Sequence, residues 1–432
     1  MAGAPTVSLL TLGCKLNQAD AETVARSLIA GGVRVVGRPE KGADAFVINT
    51  CSITQVADAK ARQLTRLARR LSPDATIVLT GCYAETAPDN VAALTGADLV
   101  LGNAAKPDIP SLLLERLARR GDPAAGCPTP ILSGLRTRAF VKIQEGCDEL
   151  CAFCIVPRTR GRERSREVDE IVDEVRRLER EGALEVVLTG TQLGNYGRDL
   201  GWDEQGPRRL MEALLERTGL PRIRLSSLQA QDISPALLRL WRDRRLCPHF
   251  HLPLQSGSDT VLARMRRRYT ADRYRDAVAL IREEVPDASV TTDVIAGFPG
   301  ESDADFEATY RLCAGVGFAA IHAFPYSRRP GTGAALMPDH LPPPVRRRRV
   351  ERLLALAEAS SRAFRRRHLG RVMDVLWEER RDGLWRGLTP NYLRVYTRPD
   401  LVGDLTNKLL PTRLLALDGE GLRGQPEATR AA

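Results

Sequence analysis

The sequence predicts an α/β protein in three parts: an N-terminal parallel α/β domain, a (β/α)6 partial TIM-type barrel and a small C-terminal all-β barrel. Three observations predict it. Apolar strand-like runs alternate with helical stretches from Val7 onward, a Gly- and Pro-rich tract at 121–134 interrupts the alternation, and beyond residue 370 short strands are separated by turn residues. At roughly 100 to 200 residues per domain, a chain of 432 residues accommodates two or three domains. The expected boundaries are 1–120, a linker over 121–132, a core over 133–365 and a terminal barrel over 366–432.

The first part reads VSLLTLG, a helix through ADAETVARSLIAGG, the strand DAFVINTC, a helix ADAKARQLTRLARRL and the buried-strand run ATIVLTGC. Cys14, Cys51 and Cys82 each follow one of these strands, which places them at the edge of a parallel sheet where α/β folds build their sites. The core opens on RAFVKIQEGC and repeats strand and helix six times. Polar and glycine-bearing stretches (TGTQ, LSS, PLQSGS, IAGFPGE) follow its strands, as expected at the C-terminal face of a parallel barrel. The basic tract LPPPVRRRRVERLLALAEASSRAFRRRHLG predicts a closing helix. RVMDVLWEE, LWRGLTPN, YLRVYTR and LVGDLTNKLL then alternate as strands.

With 43% apolar and 27% charged residues the composition is that of a soluble globular chain, and no window offers the roughly 20 apolar residues of a membrane span. The start lacks the pattern of a secretory signal, so a cytoplasmic location is expected. A net charge of +10 favours a polyanionic partner, although an arginine-rich composition raises the charge without one. Nine cysteines in a reducing compartment point to metal binding or catalysis rather than disulfides.

In GCDELCAFCIVPRTRG, Cys147 and Cys151 are four apart and Cys151 and Cys154 three apart. Cubane iron–sulfur clusters usually take four thiolates, so three leave one iron open to chelate S-adenosylmethionine through its amino and carboxylate groups. Phe153 inside the loop would shield such a cluster from water. A closed structural zinc site, with His249 and His251 as conceivable partners, is the alternative. Cys14, Cys51 and Cys82 carry no spacing signal. Their shared context LGC, NTC and TGC suggests a second triad, against the alternative of three buried core thiols. Cys127, Cys247 and Cys313 lack such context and are read as structural.

In the order of its motifs the chain resembles the radical-SAM methylthiotransferases over nearly its whole length. TLGCKLNQADAE, INTCSIT and TGCYAE are similar to the three cysteine motifs of that family's N-terminal domain, GCDELCAFCIVPRTRGRERSR to its radical-SAM loop, and HLPLQSGSDTVLARMRRRYT and TDVIAGFPGE to later core motifs. The terminal barrel resembles the RNA-binding TRAM domain. The resemblance implies two [4Fe-4S] clusters, one on Cys147, Cys151 and Cys154 and an auxiliary one on Cys14, Cys51 and Cys82. It implies two S-adenosylmethionine molecules per turnover, a 5′-deoxyadenosyl radical that abstracts hydrogen from an unreactive carbon, and delivery of a methylated sulfur. By motif position the cofactor would be lined by Thr189, Gly190 and Gln192, by Ser227, by Gln255, and by Ile295 and Gly297.

Three substrate classes belong to the resemblance: threonylcarbamoyladenosine 37 in tRNA, isopentenyladenosine 37 in tRNA, and an aspartate of a ribosomal protein. TLGCKLNQADAE, VVLTGTQLGNYG, FPYSRRPGTGA and LTPNYLRVY look most like the first. Gln229 in SSLQAQDIS departs from the acidic residue expected there. The implied partners are a tRNA anticodon stem-loop and an external electron donor, for a monomer without membrane attachment. In the barrel, Arg371, Arg386, Arg394 and Arg398 interleave with Trp385, Tyr392 and Tyr396, a pattern of phosphate charge and stacking faces suited to RNA. The segment LARMRRRYTADRYR reads as one helix, either a tRNA-facing stripe or a solvated face. A metal-stabilised RNA-binding protein without catalysis is the contrasting reading.

Overall fold

The structure is a computed structural model that describes residues 4–86, 88–119, 137–202, 205–399 and 403–427. The expected linker and Cys127 lie outside these residues. The chain divides into two compact units, and the first combines the N-terminal domain with two excursions from the core, Glu145–Arg164 and Ser327–Ala335.

In the first unit, β1 (Thr6–Thr11), β2 (Arg34–Val36), β3 (Ala45–Thr50), β4 (Thr76–Gly81) and β5 (Leu99–Leu101) form a parallel sheet in the order β2-β1-β3-β4-β5. Every residue of β3 and β4 is buried, because helices cover both faces of the sheet. Lys15–Ala30 and Ile109–Ala118 pack on one face through Val24, Leu28 and Leu113, and Gln55–Leu71 on the other through Ala61 and Ala68. The excursion Ser327–Ala335 joins this unit through Arg329, which donates to Asp58 Oδ2 (2.7 Å) and Ser52 Oγ (2.5 Å).

In the second unit β6 (Arg138–Lys142) leads into the cysteine loop, which the two-residue strands β7 (Gln144–Glu145) and β8 (Arg164–Ser165) bracket in sequence. Next come β9 (Glu185–Thr189), β10 (Arg222–Leu225), β11 (His249–His251), β12 (Ser289–Ala296) and β13 (Ala320–Pro325). Two parallel three-stranded sheets, β6-β9-β10 and β11-β12-β13, meet where the Cys247 N–H donates to Ile223 O (2.9 Å). The six core strands thus run in sequence order as an open barrel. Alternate residues, among them Val186, Leu188, Ile223 and Phe250, pack against the outer helices, and the intervening set faces the lumen.

Pro343–Arg366 forms the closing helix, after which β14 (Val372–Arg381), β15 (Leu384–Leu388), β16 (Arg394–Thr397), β17 (Lys408–Asp418) and β18 (Gly421–Pro426) close a barrel in the order β14-β15-β16-β18-β17. This barrel seals the N-terminal end of the lumen. Arg224 donates to Pro390 O (2.8 Å) and Arg222 to Leu388 O (3.0 Å), while Arg138 pairs with Glu378 (2.7 Å). Tyr392 stacks on His249 at 4.5 Å, with the Arg224 guanidinium 4.9 Å from its ring. At the centre lies Glu185, fully buried, accepting from Arg224 Nε (2.8 Å) and Nη2 (3.2 Å). Burial works against its charged form, but Arg224, aided by Arg138 and Arg222, holds the carboxyl down at about 2.

Candidate active site and cluster-binding loops

Cys14, Cys51 and Cys82 follow β1, β3 and β4, three strands adjacent in the sheet, so the parallel topology alone brings residues far apart in sequence to one edge. Gly13 (φ +100°) and Gly81 (φ +97°) give the chain its turn into two of these cysteines. A Cβ on Gly13 would lie 2.9 Å from Cys51 Sγ, and one on Gly81 would collide with Thr50 O. Asn17, fully buried, latches the edge by donating to Leu12 O (2.8 Å) and Thr50 O (2.9 Å), and its own carbonyl accepts from Asn49 Nδ2 (2.8 Å). Cys14 is exposed, and Cys51 and Cys82 are buried. Burial pushes the Cys51 thiol up to about 12 against a hydrogen bond from the Ile53 N–H; nearby Cys14 and Cys82 add to the rise and Arg160 opposes it.

Cys147, Cys151 and Cys154 are half-buried. Gly146 (φ +78°) starts their loop, the Cys147 N–H donates to Gly161 O (3.1 Å) and the Cys154 N–H to Cys151 O (3.0 Å). Cys154 Sγ accepts from the Val156 N–H at 3.4 Å. Burial lifts the Cys147 thiol to about 12, opposed by the Glu149 N–H and increased by Cys154, Glu163 and Cys151. Phe153 beside them is half-buried. A site that must hold thiolates here needs a strong Lewis acid to form them. Among the described residues no three His, Cys, Asp or Glu side chains converge on a single ion. The donor chemistry, two separate sets of three thiols, suits groups that present several irons.

The residues predicted to line the cofactor occupy the C-terminal ends of the core strands. Thr189 ends β9 and Gly190 and Gln192 follow it, Ser227 lies just past β10, and Gln255 pairs with Val294 by a parallel bridge, its φ of +62° enforced by hydrogen bonds to Asp293 and Ile295. Ile295 is the penultimate residue of β12, and Gly297 (φ +76°) packs where a Cβ would meet the Arg346 side chain. Gln144 accepts from the N–H groups of Thr191 (2.9 Å) and Gln192 (3.0 Å), a support that the sequence reading missed. Thr191 Oγ1 and Gln192 Nε2 are buried with no partner among the described residues, as polar atoms reserved for a ligand would be.

Two sequence expectations need correction. Trp385 is buried in the barrel core and Tyr392 stacks on His249 in the sealed floor, so these two serve packing rather than an RNA face, while Arg371 is exposed and pairs with Asp287 (2.6 Å). Arg394 and Arg398 are exposed, and Arg386 lies near the half-buried Tyr396. The stripe from Leu262 to Arg275 is not one helix: Asp259–Arg264 and Ala271–Glu284 are separated by a turn at Arg266, and Arg267 points inward to Gln229 Oε1 (2.6 Å). Gln229, which departs from the expected acidic residue, forms a reciprocal cap with Asp232. Cys247 and Cys313 are buried.

Comparison with known proteins gives the site a context. The Radical SAM superfamily matches residues 141–313, and Uncharacterized protein family UPF0004 matches residues 6–102. Threonylcarbamoyladenosine tRNA methylthiotransferase MtaB of Bacillus subtilis is 35% identical over 427 residues, covering 95% of this chain and 94% of the relative. The chain belongs to the radical-SAM methylthiotransferase family. A second methylthiotransferase relative, tRNA-2-methylthio-N(6)-dimethylallyladenosine synthase of Chloroflexus aurantiacus, is 37% identical over 430 residues, covering 96% and 90% of the two chains. The solved structure of the radical S-adenosylmethionine methyltransferase TsrM from Kitasatospora setae shares the fold, with a TM-score of 0.56 at 15% identity over 77% of each chain. As a radical-SAM methylthiotransferase this protein is an enzyme that uses a [4Fe-4S] cluster and S-adenosylmethionine. No helix among its described residues is long and apolar enough to cross a membrane.

Proposed function

We infer that the enzyme attaches a methylthio group to C2 of N6-threonylcarbamoyladenosine 37 in tRNA. The observation that carries the reading is the pairing of two cysteine sets in one compact unit, Cys147, Cys151 and Cys154 on one loop and Cys14, Cys51 and Cys82 on three adjacent strand ends. The full-length likeness to the Bacillus subtilis enzyme supports the choice of substrate. The Chloroflexus aurantiacus relative keeps dimethylallyladenosine as the second reading, because the two identities are nearly equal.

When bound, the two clusters and S-adenosylmethionine supply a radical for hydrogen abstraction and a sulfur for insertion. The protein binds and orients. Cys147, Cys151 and Cys154 would hold one cluster, and Cys14, Cys51 and Cys82 would hold the other. Thr189, Gly190, Gln192, Ser227, Gln255, Ile295 and Gly297 line S-adenosylmethionine, with Thr191 Oγ1 and Gln192 Nε2 as its unsatisfied hydrogen-bonding atoms. The N-terminal domain (1–120) and core (133–365) carry the chemistry, and the barrel (366–432), as a TRAM-type module, holds the anticodon stem-loop through its exposed arginines, including Arg394 and Arg398. The enzyme acts as a cytoplasmic monomer and takes electrons from an external donor.

Mass spectrometry of tRNA nucleosides from a deletion strain tests the substrate. The methylthio group on threonylcarbamoyladenosine is expected to vanish. Its persistence overturns the substrate reading, and loss from isopentenyladenosine instead establishes the second one.

A further inference from the structure

Arg160 comes from the radical-SAM loop, six residues past Cys154, yet its guanidinium meets Asn17 and Asp20 on the helix that follows Cys14. It is 5% exposed. Nη2 donates to Asn17 Oδ1 at 2.5 Å, Nη1 donates to Glu145 Oε1 at 2.6 Å, and both approach Asp20 Oδ2 at 3.5 Å. Asn17 is the residue that ties the ends of β1 and β3 together. Lys106, also buried, donates to the same Asp20 oxygen at 2.6 Å. Two basic side chains and two carboxylates therefore meet here; burial works against the charge of Lys106, and Asp20 opposes that effect. Burial works against the charge of Arg160, and Cys82, Asp20, Cys14 and Glu145 together outweigh it. A buried guanidinium tied through Asn17 to these strand ends would stabilise the negative charge of a cubane held there by three thiolates.

We propose that Arg160 is a positioning residue for the N-terminal cluster: seated on Asn17 and Asp20, it stabilises the negative charge of that cluster and fixes the strand ends that bear Cys14, Cys51 and Cys82. The loop that binds the radical-generating cluster thereby also organises the sulfur-donating one. This inference rests on the reading that those three cysteines bind a cluster.

The test uses the full chain with Cys147, Cys151 and Cys154 all replaced by Ala, so that only the N-terminal cluster forms on anaerobic reconstitution with iron and sulfide. Absence of a brown cluster in this parent overturns the two-cluster reading itself, and the Arg160 proposal with it. Given a cluster, Arg160→Gln is expected to release iron to a chelator about 10- to 100-fold faster and to move the midpoint potential to more negative values. Arg160→Lys keeps the charge but cannot reach Asn17 and Glu145 together; it holds the potential and still loses iron faster than the parent. Circular dichroism and melting of the apo forms separate loss of cluster from loss of fold. Arg160→Gln matching the parent in iron release and potential overturns the proposal. If Arg160→Gln does not fold, Arg160→Lys decides: behaviour identical to the parent in both readouts, or a potential shifted negative, overturns it.

Discussion

Replacing Cys51 with Ala removes one thiol from the N-terminal set and leaves the Cys147 loop intact. The expected outcome is reductive cleavage of S-adenosylmethionine at near wild-type rate with no methylthiolated product, read by quantifying 5′-deoxyadenosine and modified nucleoside in one assay. Product formation by this variant would remove Cys51 from the sulfur-inserting machinery. Gly81 makes a second test at this scale. Its φ of +97° and the collision that a Cβ would make with Thr50 O leave no room for Ala. Gly81→Ala should cost about 1 to 3 kcal/mol of folding stability and misplace Cys82, seen as a lower urea midpoint and roughly half the iron per chain after reconstitution. What the sequence shows at this scale is that Cys147, Cys151 and Cys154 share one loop, where the structure leaves all three half-buried. Arg160, Lys106 and Asn17 were not legible, because their partners lie up to 143 residues away and nothing in the local pattern marks a buried guanidinium.

At the scale of elements, strand alternation told which residues share a face but not what covers that face. Trp385 and Tyr392 alternate with arginines as an RNA platform would, yet Trp385 fills the barrel core and Tyr392 the end of the lumen. In β9 and β10, Glu185, Arg222 and Arg224 look like misplaced charges in apolar strands; they form an ion network that only the floor of a barrel explains. Its pH dependence follows from the sign of the shift. The Glu185 carboxyl falls from 4.5 to about 2 on folding, so its contribution, about 3 kcal/mol, is complete above pH 4.5 and disappears as the pH falls through 2. Glu185→Gln should lack this acid-side dependence and, by leaving Arg224 without its counter-charge, be less stable at pH 7 by about 3 to 5 kcal/mol. Urea titrations at pH 3, 4 and 7 check both; parallel pH profiles for the two proteins would contradict the assignment.

For the whole molecule, the order of βα units predicted the open barrel well, since six successive strands can form a parallel sheet only through regular crossovers. The floor was invisible because it depends on the terminal barrel docking on the core. A chain ending after Arg366 loses the carbonyls of Leu388 and Pro390 and the Glu378 carboxylate, and so leaves Arg138, Arg222 and Arg224 with Glu185 as their shared counter-charge. Each such charge-assisted bond contributes about 1.5 to 3 kcal/mol, so the truncated chain should aggregate or melt well below the full one in calorimetry; an unchanged melting temperature would show the barrel to be dispensable. The excursion at Ser327–Ala335 bears on how the enzyme is made. Arg329 reaches Asp58 across 271 residues of sequence. At about 5 to 20 residues per second, a ribosome takes roughly 15 to 50 s to travel that far. Through that interval the nascent N-terminal domain has its three cysteines but neither Arg160 at first nor Arg329 until late, so the unit that carries both cysteine sets is complete only after translation has passed residue 335.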